Sequence, residues 1–131
     1  MQFSYPLQTK RKEELIEITK MVKEAVDKSG IQDGICLVFC PHTTGAITIN
    51  ENADPDVTKD ILTGLKKALP DLAEFYHAEG NSDAHIKSSV VGASEMVIIS
   101  QGKLILGTWQ GIYFCEFDGP RQRKFYIKIL S

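Results

Sequence analysis

His42, Thr43 and Thr44 open a stretch, HTTGAITINENADPDVTKDI, that goes on to present Asn50, Glu51, Asn52, Asp54 and Asp56. Imidazole, hydroxyls, amides and carboxylates gathered in one segment can ligate a cation, hold an anion or move a proton. The other two histidines, His77 and His85, bracket the polar run AEGNSDA. All three lie at expected element ends or in polar loop, none in the middle of an apolar strand. Three imidazoles with an open position can hold a catalytic divalent metal. Unrelated surface histidines fit the same spacing, and no local motif such as H-E-x-x-H decides between the two. Thr43, Thr44, Ser88 and Ser89 also fall near element ends, where hydroxyls and free amides either bind phosphate or cap the chain. Arg121 and Arg123 follow the turn Asp118-Gly119-Pro120. Two apart on a strand, they share a face, and guanidinium forks suit phosphate, with solvated edge charge as the alternative. Glu116 and Asp118 are placed to pair with them or to hold a cation. Trp109, beside Gln110, reads as a core residue.

The elements that must position these groups follow from periodicity. Phe3, Tyr5 and Leu7 alternate with polar residues and predict a first strand. Leu15, Ile18, Val22 and Val26 keep the helical period and predict a helix over about residues 10 to 28, capped by Thr9 and stopped at Gly30. The apolar run 35–40 predicts a strand buried on both faces, and 45–50 a second strand. Asp54 and Pro55 form a strong helix start, continued by Val57, Ile61, Leu65 and Ala68. Residues 71–83 read as polar loop, and 86–91 as a short helix ending near Gly92. Four strand-like runs then fill the last third, broken at Gln101-Gly102, Gln110-Gly111 and Asp118-Gly119-Pro120. The expected fold is α+β: a single domain over residues 1–131 with a largely antiparallel sheet or sandwich, two main helices and a C-terminal β-meander.

Composition narrows the function classes. The chain has 131 residues, with 43% hydrophobic and 24% charged residues, as in an ordinary globular domain. A formal net charge of −2 gives no electrostatic case for a nucleic-acid partner. No apolar run approaches the roughly 20 residues that span a bilayer, and the N-terminus shows no signal-peptide core. The expected location is therefore cytoplasmic, with no membrane partner. Cys36, Cys40 and Cys115 lie in apolar runs and read as small buried thiols. The first two are four apart, which places them on one strand face and is not the knuckle spacing of structural zinc.

Four blocks in order, HTTGAITINENADPDVTKD, HAEGNSDAH, SSVVG and GKLILGTWQGIYFCEFDGPR, resemble the YjbQ-like family, often described as secondary thiamine-phosphate synthase. The resemblance covers nearly the whole chain. It implies a homotrimer whose shared polar residues cluster in a pocket near the subunit boundary, and a small phosphorylated substrate. It assigns catalytic roles to His42, His77, His85, Asp83 and Arg121. It assigns substrate contacts to Thr43, Thr44, Asn50, Asn52, Asn81, Gln110 and Asp118, with Asp54 as the helix cap. The three histidines become candidate metal ligands or phosphate contacts, and Arg121 a phosphate contact. Imidazole favours zinc, whereas diphosphate chemistry usually runs on magnesium, so the expected cofactor is a divalent metal, zinc or magnesium. Two other readings stay open. One is a hydrolase with a metal-bound water and Asp83 or Glu79 as base; the other is a non-catalytic protein that binds a phosphorylated ligand.

Overall fold

In the computed structural model, which describes residues 1–131, the alternation of Phe3, Tyr5 and Leu7 becomes the strand β1 (Gln2–Gln8). The helix expected from residue 10 starts only at Thr19. Residues 14–17 instead form β2 (Glu14–Glu17), and α1 covers Thr19–Ser29. Two interactions explain the difference. Thr9 cannot cap a helix, because its hydroxyl donates to the buried Glu116 carboxylate at 2.8 Å. The Glu14 carboxylate accepts from the amides of Lys10 and Arg11, which closes a turn there instead. α1 then buries Val22, Ala25 and Val26 and ends where Gly30 takes the left-handed φ of 68°.

The remaining elements are β3 (Asp33–Phe39), β4 (Gly45–Glu51), α2 (Pro55–Ala68), α3 (Ser82–Val91), β5 (Ser94–Ser100), β6 (Lys103–Leu104), β7 (Gln110–Glu116) and β8 (Gln122–Leu130). The Asp54 side chain caps α2 as expected, accepting from the Asp56 amide at 2.9 Å. α3 starts four residues before the expected short helix and carries His85 within its first turns.

The strands form a five-stranded sheet in the order β1-β8-β3-β5-β6 and a three-stranded sheet in the order β2-β7-β4, with every pair antiparallel. The fold is α+β, as expected, with the terminal strands distributed differently. They do not run as a four-stranded meander. The chain leaves the ladder after Leu104, crosses with β7 to the small sheet and returns with β8 between β1 and β3. Cys36, Val38, Val97, Ile99, Phe125, Ile127 and Ile129 of the large sheet pack on Ile47, Ile112 and Phe114 of the small one and on α1. Burying such faces supplies the main drive for folding.

β3 is buried on one face only. Ile35, Phe39, Met96, Ile98 and Leu130 are all exposed on the outer face of the large sheet. Alternation along the strand explains this: Cys36, Val38 and Cys40 point to the core, and their neighbours point away. Trp109 is also not a core residue; it is 63% exposed on the loop between β6 and β7. The three thiols are buried and free, as expected.

Candidate functional site

Three chain segments meet at one end of the sandwich. The β3–β4 loop brings Pro41, His42, Thr43 and Thr44; the start of α3 brings Asn81 and His85; β8 and the turn before it bring Arg121 and Arg123. With Glu79 they line an open cleft of about 340 Å³ that is polar throughout apart from Pro41. A second lobe of about 500 Å³ shares His42, Thr43 and His85 and continues over Ser88, Ser89 and Gly92. Residues 81, 85, 88, 89 and 92 fall on one side of α3 because they repeat at helical spacing.

Carboxylates, one of them fully buried, anchor the two arginines from behind. Arg123 Nε donates to Glu116 Oε1 at 2.8 Å, and its Nη2 donates to Glu116 and to the Thr44 hydroxyl. Glu116 is fully buried and also accepts from Thr9 and from the Asp118 amide. Arg121 Nε donates to the Asp118 carbonyl at 2.7 Å, and Nη2 to the Asp118 carboxylate at 2.9 Å. Neither arginine uses Nη1 in a hydrogen bond within the protein, so each keeps a donor for a ligand. Burial pushes the Glu116 carboxyl up, but Arg123, the Asp118 amide and Thr9 outweigh it and hold the group below its ordinary value. At Asp118 burial likewise acts upward, and Asn81 and Arg121 reverse it.

The Asn81 amide is oriented by Asp118, to which Nδ2 donates at 2.8 Å. Its Oδ1 is buried without a partner, a feature that normally costs about 1–3 kcal/mol. His42 Nε2 lies 3.1 Å from both the amide nitrogen and the carbonyl oxygen of Lys124. Burial, followed by the charge of Arg123, lowers the His42 pKa, so the ring stays neutral over more of the pH range.

The structure gathers only part of the expected set. His77 packs edge-on against His85 at 5.4 Å between ring centroids, while His42 and His85 line the same cleft. No three His, Cys, Asp or Glu side chains of the chain are placed to hold a metal ion. His42 Nε2 is engaged by the Lys124 backbone, which leaves Nδ1 as the ring nitrogen available to a ligand. Asp83 lies two residues from His85, about 200° around the helix, and faces the buried Lys87 instead, 3.3 Å away. Asn50, Asn52 and Gln110 sit at the far end of the small sheet, where β4 and β7 pair Asn50 with Gly111 and Glu51 with Gln110. That end lies about 20 Å along β4 from Thr44, at roughly 3.4 Å per residue. There Asn52 donates to Glu17, and Gln110 accepts from the Gly107 amide. Spacing does not reveal Pro41 in the cleft lining, or Thr9 behind it on Glu116; only the topology brings them there. The Arg123–Glu116 pair is visible in sequence as alternating charge across the turn.

The family described as UPF0047 protein YjbQ-like matches residues 4–131. UPF0047 protein MJ1081 of Methanocaldococcus jannaschii is 55% identical over 131 residues, covering 100% of this chain and 95% of that protein. UPF0047 protein YugU of Bacillus subtilis is 55% identical over 126 residues, covering 95% and 96%. An uncharacterized conserved protein of the same family from Clostridium acetobutylicum superposes with a TM-score of 0.96 at 59% identity, over 98% of this chain and 99% of that one. A YbjQ-like protein of unknown function from Sulfolobus solfataricus gives 0.96 at 37% identity, over 100% and 96%.

Proposed function

The chain belongs to the YjbQ-like UPF0047 family, and from that premise we propose that its polar cleft binds a small phosphorylated molecule. One observation carries this reading: two guanidinium groups, each fixed from behind by a carboxylate, line one cleft together with Thr43, His42 and His85. Donors held in place before the ligand arrives lose little entropy on binding, which favours a planar or tetrahedral oxyanion. The volume suits a phosphate ester with a small organic group.

The family resemblance adds an activity: formation of thiamine phosphate from a pyrimidine-methyl diphosphate and a thiazole phosphate. The carbon–oxygen bond to diphosphate breaks, the thiazole nitrogen bonds to that carbon, and pyrophosphate leaves. Charge builds on the leaving oxygens as that bond stretches. Arg121 and Arg123, already oriented, favour that charge more strongly than the ground state. The chain's own groups need supply no nucleophile. The purified protein, given both substrates, is expected to release pyrophosphate slowly and to make thiamine phosphate in equal amount. Pyrophosphate without coupled product makes the protein a hydrolase, and binding without either product makes it a non-catalytic binder.

A further inference from the structure

The two lobes of the cleft differ in chemistry although they share a wall. The first has charged groups in its lining, Arg121, Arg123 and Glu79. The second is lined by no Lys, Arg, Asp or Glu, and at about 500 Å³ it is the larger of the two. Both volumes fall within the roughly 300–1,000 Å³ of ordinary small-molecule sites. An anion seated on the arginines occupies only the first lobe, and the second has room for an organic group attached to it.

The floor of the second lobe comes from the last turn of α3 and the two residues that follow it. Ser88, Ser89, Gly92 and Ala93 bring no side chain longer than a hydroxymethyl group. Gly92 has a φ of 107°, a conformation that L side chains rarely adopt, and no atom lies within 4 Å of the place its Cβ would take. The exit from the helix thus demands glycine for its backbone, and the missing side chain widens the lobe. Most polar atoms of this floor are already engaged. The Ser88 hydroxyl donates to the Gly45 carbonyl at 2.6 Å. The Gly92 amide donates to the Ser88 carbonyl at 2.9 Å. The Gly92 carbonyl accepts from the Ile47 amide at 3.1 Å, and the Ala93 carbonyl from the Cys40 amide at 2.8 Å. What the floor offers a ligand is carbon and the exposed Ser89 hydroxyl.

We propose that the second lobe is a subsite for the organic part of the ligand, and that it selects phosphate monoesters whose organic group is uncharged and mostly apolar. A charged group placed there gives up water without meeting an opposite charge, a cost that the arginines spare the phosphate. An apolar group covers the Ala93 methyl and the Gly92 Cα and removes both surfaces from water. Thr43 lines both lobes, so with the phosphate on Arg121 and Arg123 the bridging ester oxygen lies beside it. This inference rests on the phosphate reading above and adds which esters the cleft prefers and which residues decide.

The test is calorimetric titration of the full-length protein with inorganic phosphate, glycerol phosphate and benzyl phosphate. Benzyl phosphate is expected to bind about tenfold tighter than inorganic phosphate, the effect of removing roughly 55 Å² of apolar surface from water. Glycerol phosphate is expected to gain less. Ser89→Phe places a ring in the lobe and is expected to abolish the advantage of benzyl phosphate over inorganic phosphate, whereas Ser89→Ala keeps the lobe open and retains it. In amide NMR spectra of the unmodified protein, benzyl phosphate is expected to shift the Gly92 and Ala93 signals more than inorganic phosphate does. Equal affinity for the three probes, a glycerol ester that binds tighter than the benzyl ester, or a benzyl advantage that survives in Ser89→Phe overturns the subsite and leaves the phosphate reading in place. So does benzyl phosphate that binds without moving Gly92 or Ala93. If no probe binds, the phosphate reading fails and the subsite fails with it.

Discussion

At the scale of single residues, the cleft depends on how the arginines are held more than on their number. Arg121→Lys keeps the charge but loses the planar fork that Asp118 orients. Phosphate affinity, read by calorimetry, is expected to fall about tenfold, or about 1.4 kcal/mol. Glu116 makes a pH prediction. Its folded pKa lies below its ordinary value, so its contribution is present above the ordinary carboxylate range and is lost as pH falls through the folded value. Unfolding midpoints of the unmodified protein are expected to drop on acidification below about pH 4. Glu116→Gln is expected to be less stable at neutral pH, with a shallower acid limb, so that the two curves converge in acid. Parallel curves would remove Glu116 from the account. Much at this scale was legible in the sequence. The alternation of Glu116 and Asp118 with Arg121 and Arg123 across a turn already announced paired charges near a site. Pro41 was silent, because a proline after a strand reads only as an end.

At the scale of elements, α3 is the part that sets the cleft's geometry. One side carries Asn81 and His85, and the other carries Lys87, which is 1% exposed and donates to Glu13 at 2.6 Å and Asp83 at 3.3 Å. This ion triad, with a buried lysine between two partly exposed carboxylates, ties α3 to the segment before β2. Lys87→Ala leaves two carboxylates facing each other and is expected to cost about 3–5 kcal/mol in urea unfolding. Lys87→Met in a Glu13→Gln, Asp83→Asn background removes the charges as well and is expected to recover most of that loss. No recovery would mean that packing of the lysine stem, rather than charge, holds the helix. The sequence predicts α2 well, because Asp54 and Pro55 are local signals. It misplaces the start of α1 because Leu15 fits a helical stripe and a strand equally. Pairing of Leu15 with Cys115 on β7 decides the matter, and that contact spans most of the chain.

At the scale of the molecule, two features ask for a neighbour. The outer face of the large sheet exposes Met96 at 67% and Ile98 at 62%, beside Ile35 and Phe39, and contiguous apolar surface of that kind marks an interface. Asn50, Asn52 and Gln110 sit at the opposite end of the small sheet from the cleft, so one chain cannot bring both groups to one ligand. We propose the homotrimer that the family resemblance implies, in which a closed head-to-tail ring would bring one end of a subunit to the other end of the next. Light scattering is expected to give three times the 14.6 kDa chain mass, and Ile98→Asp to shift the protein to monomer by placing a charge in the apolar contact. A monomer in the unmodified protein would remove the trimer. The class of fold was legible from strand-like runs and short turns, whereas the division of strands between two sheets was not, since the partners of β7 and β8 lie far away in sequence. The most direct test of the central claim is calorimetric titration of thiazole phosphate into the unmodified protein and into Arg121→Ala and Thr43→Val. Saturable binding to the unmodified protein that weakens in both variants, with their unfolding midpoints little changed, is the predicted result. No binding, or binding that both variants leave intact, would contradict a phosphate site in this cleft.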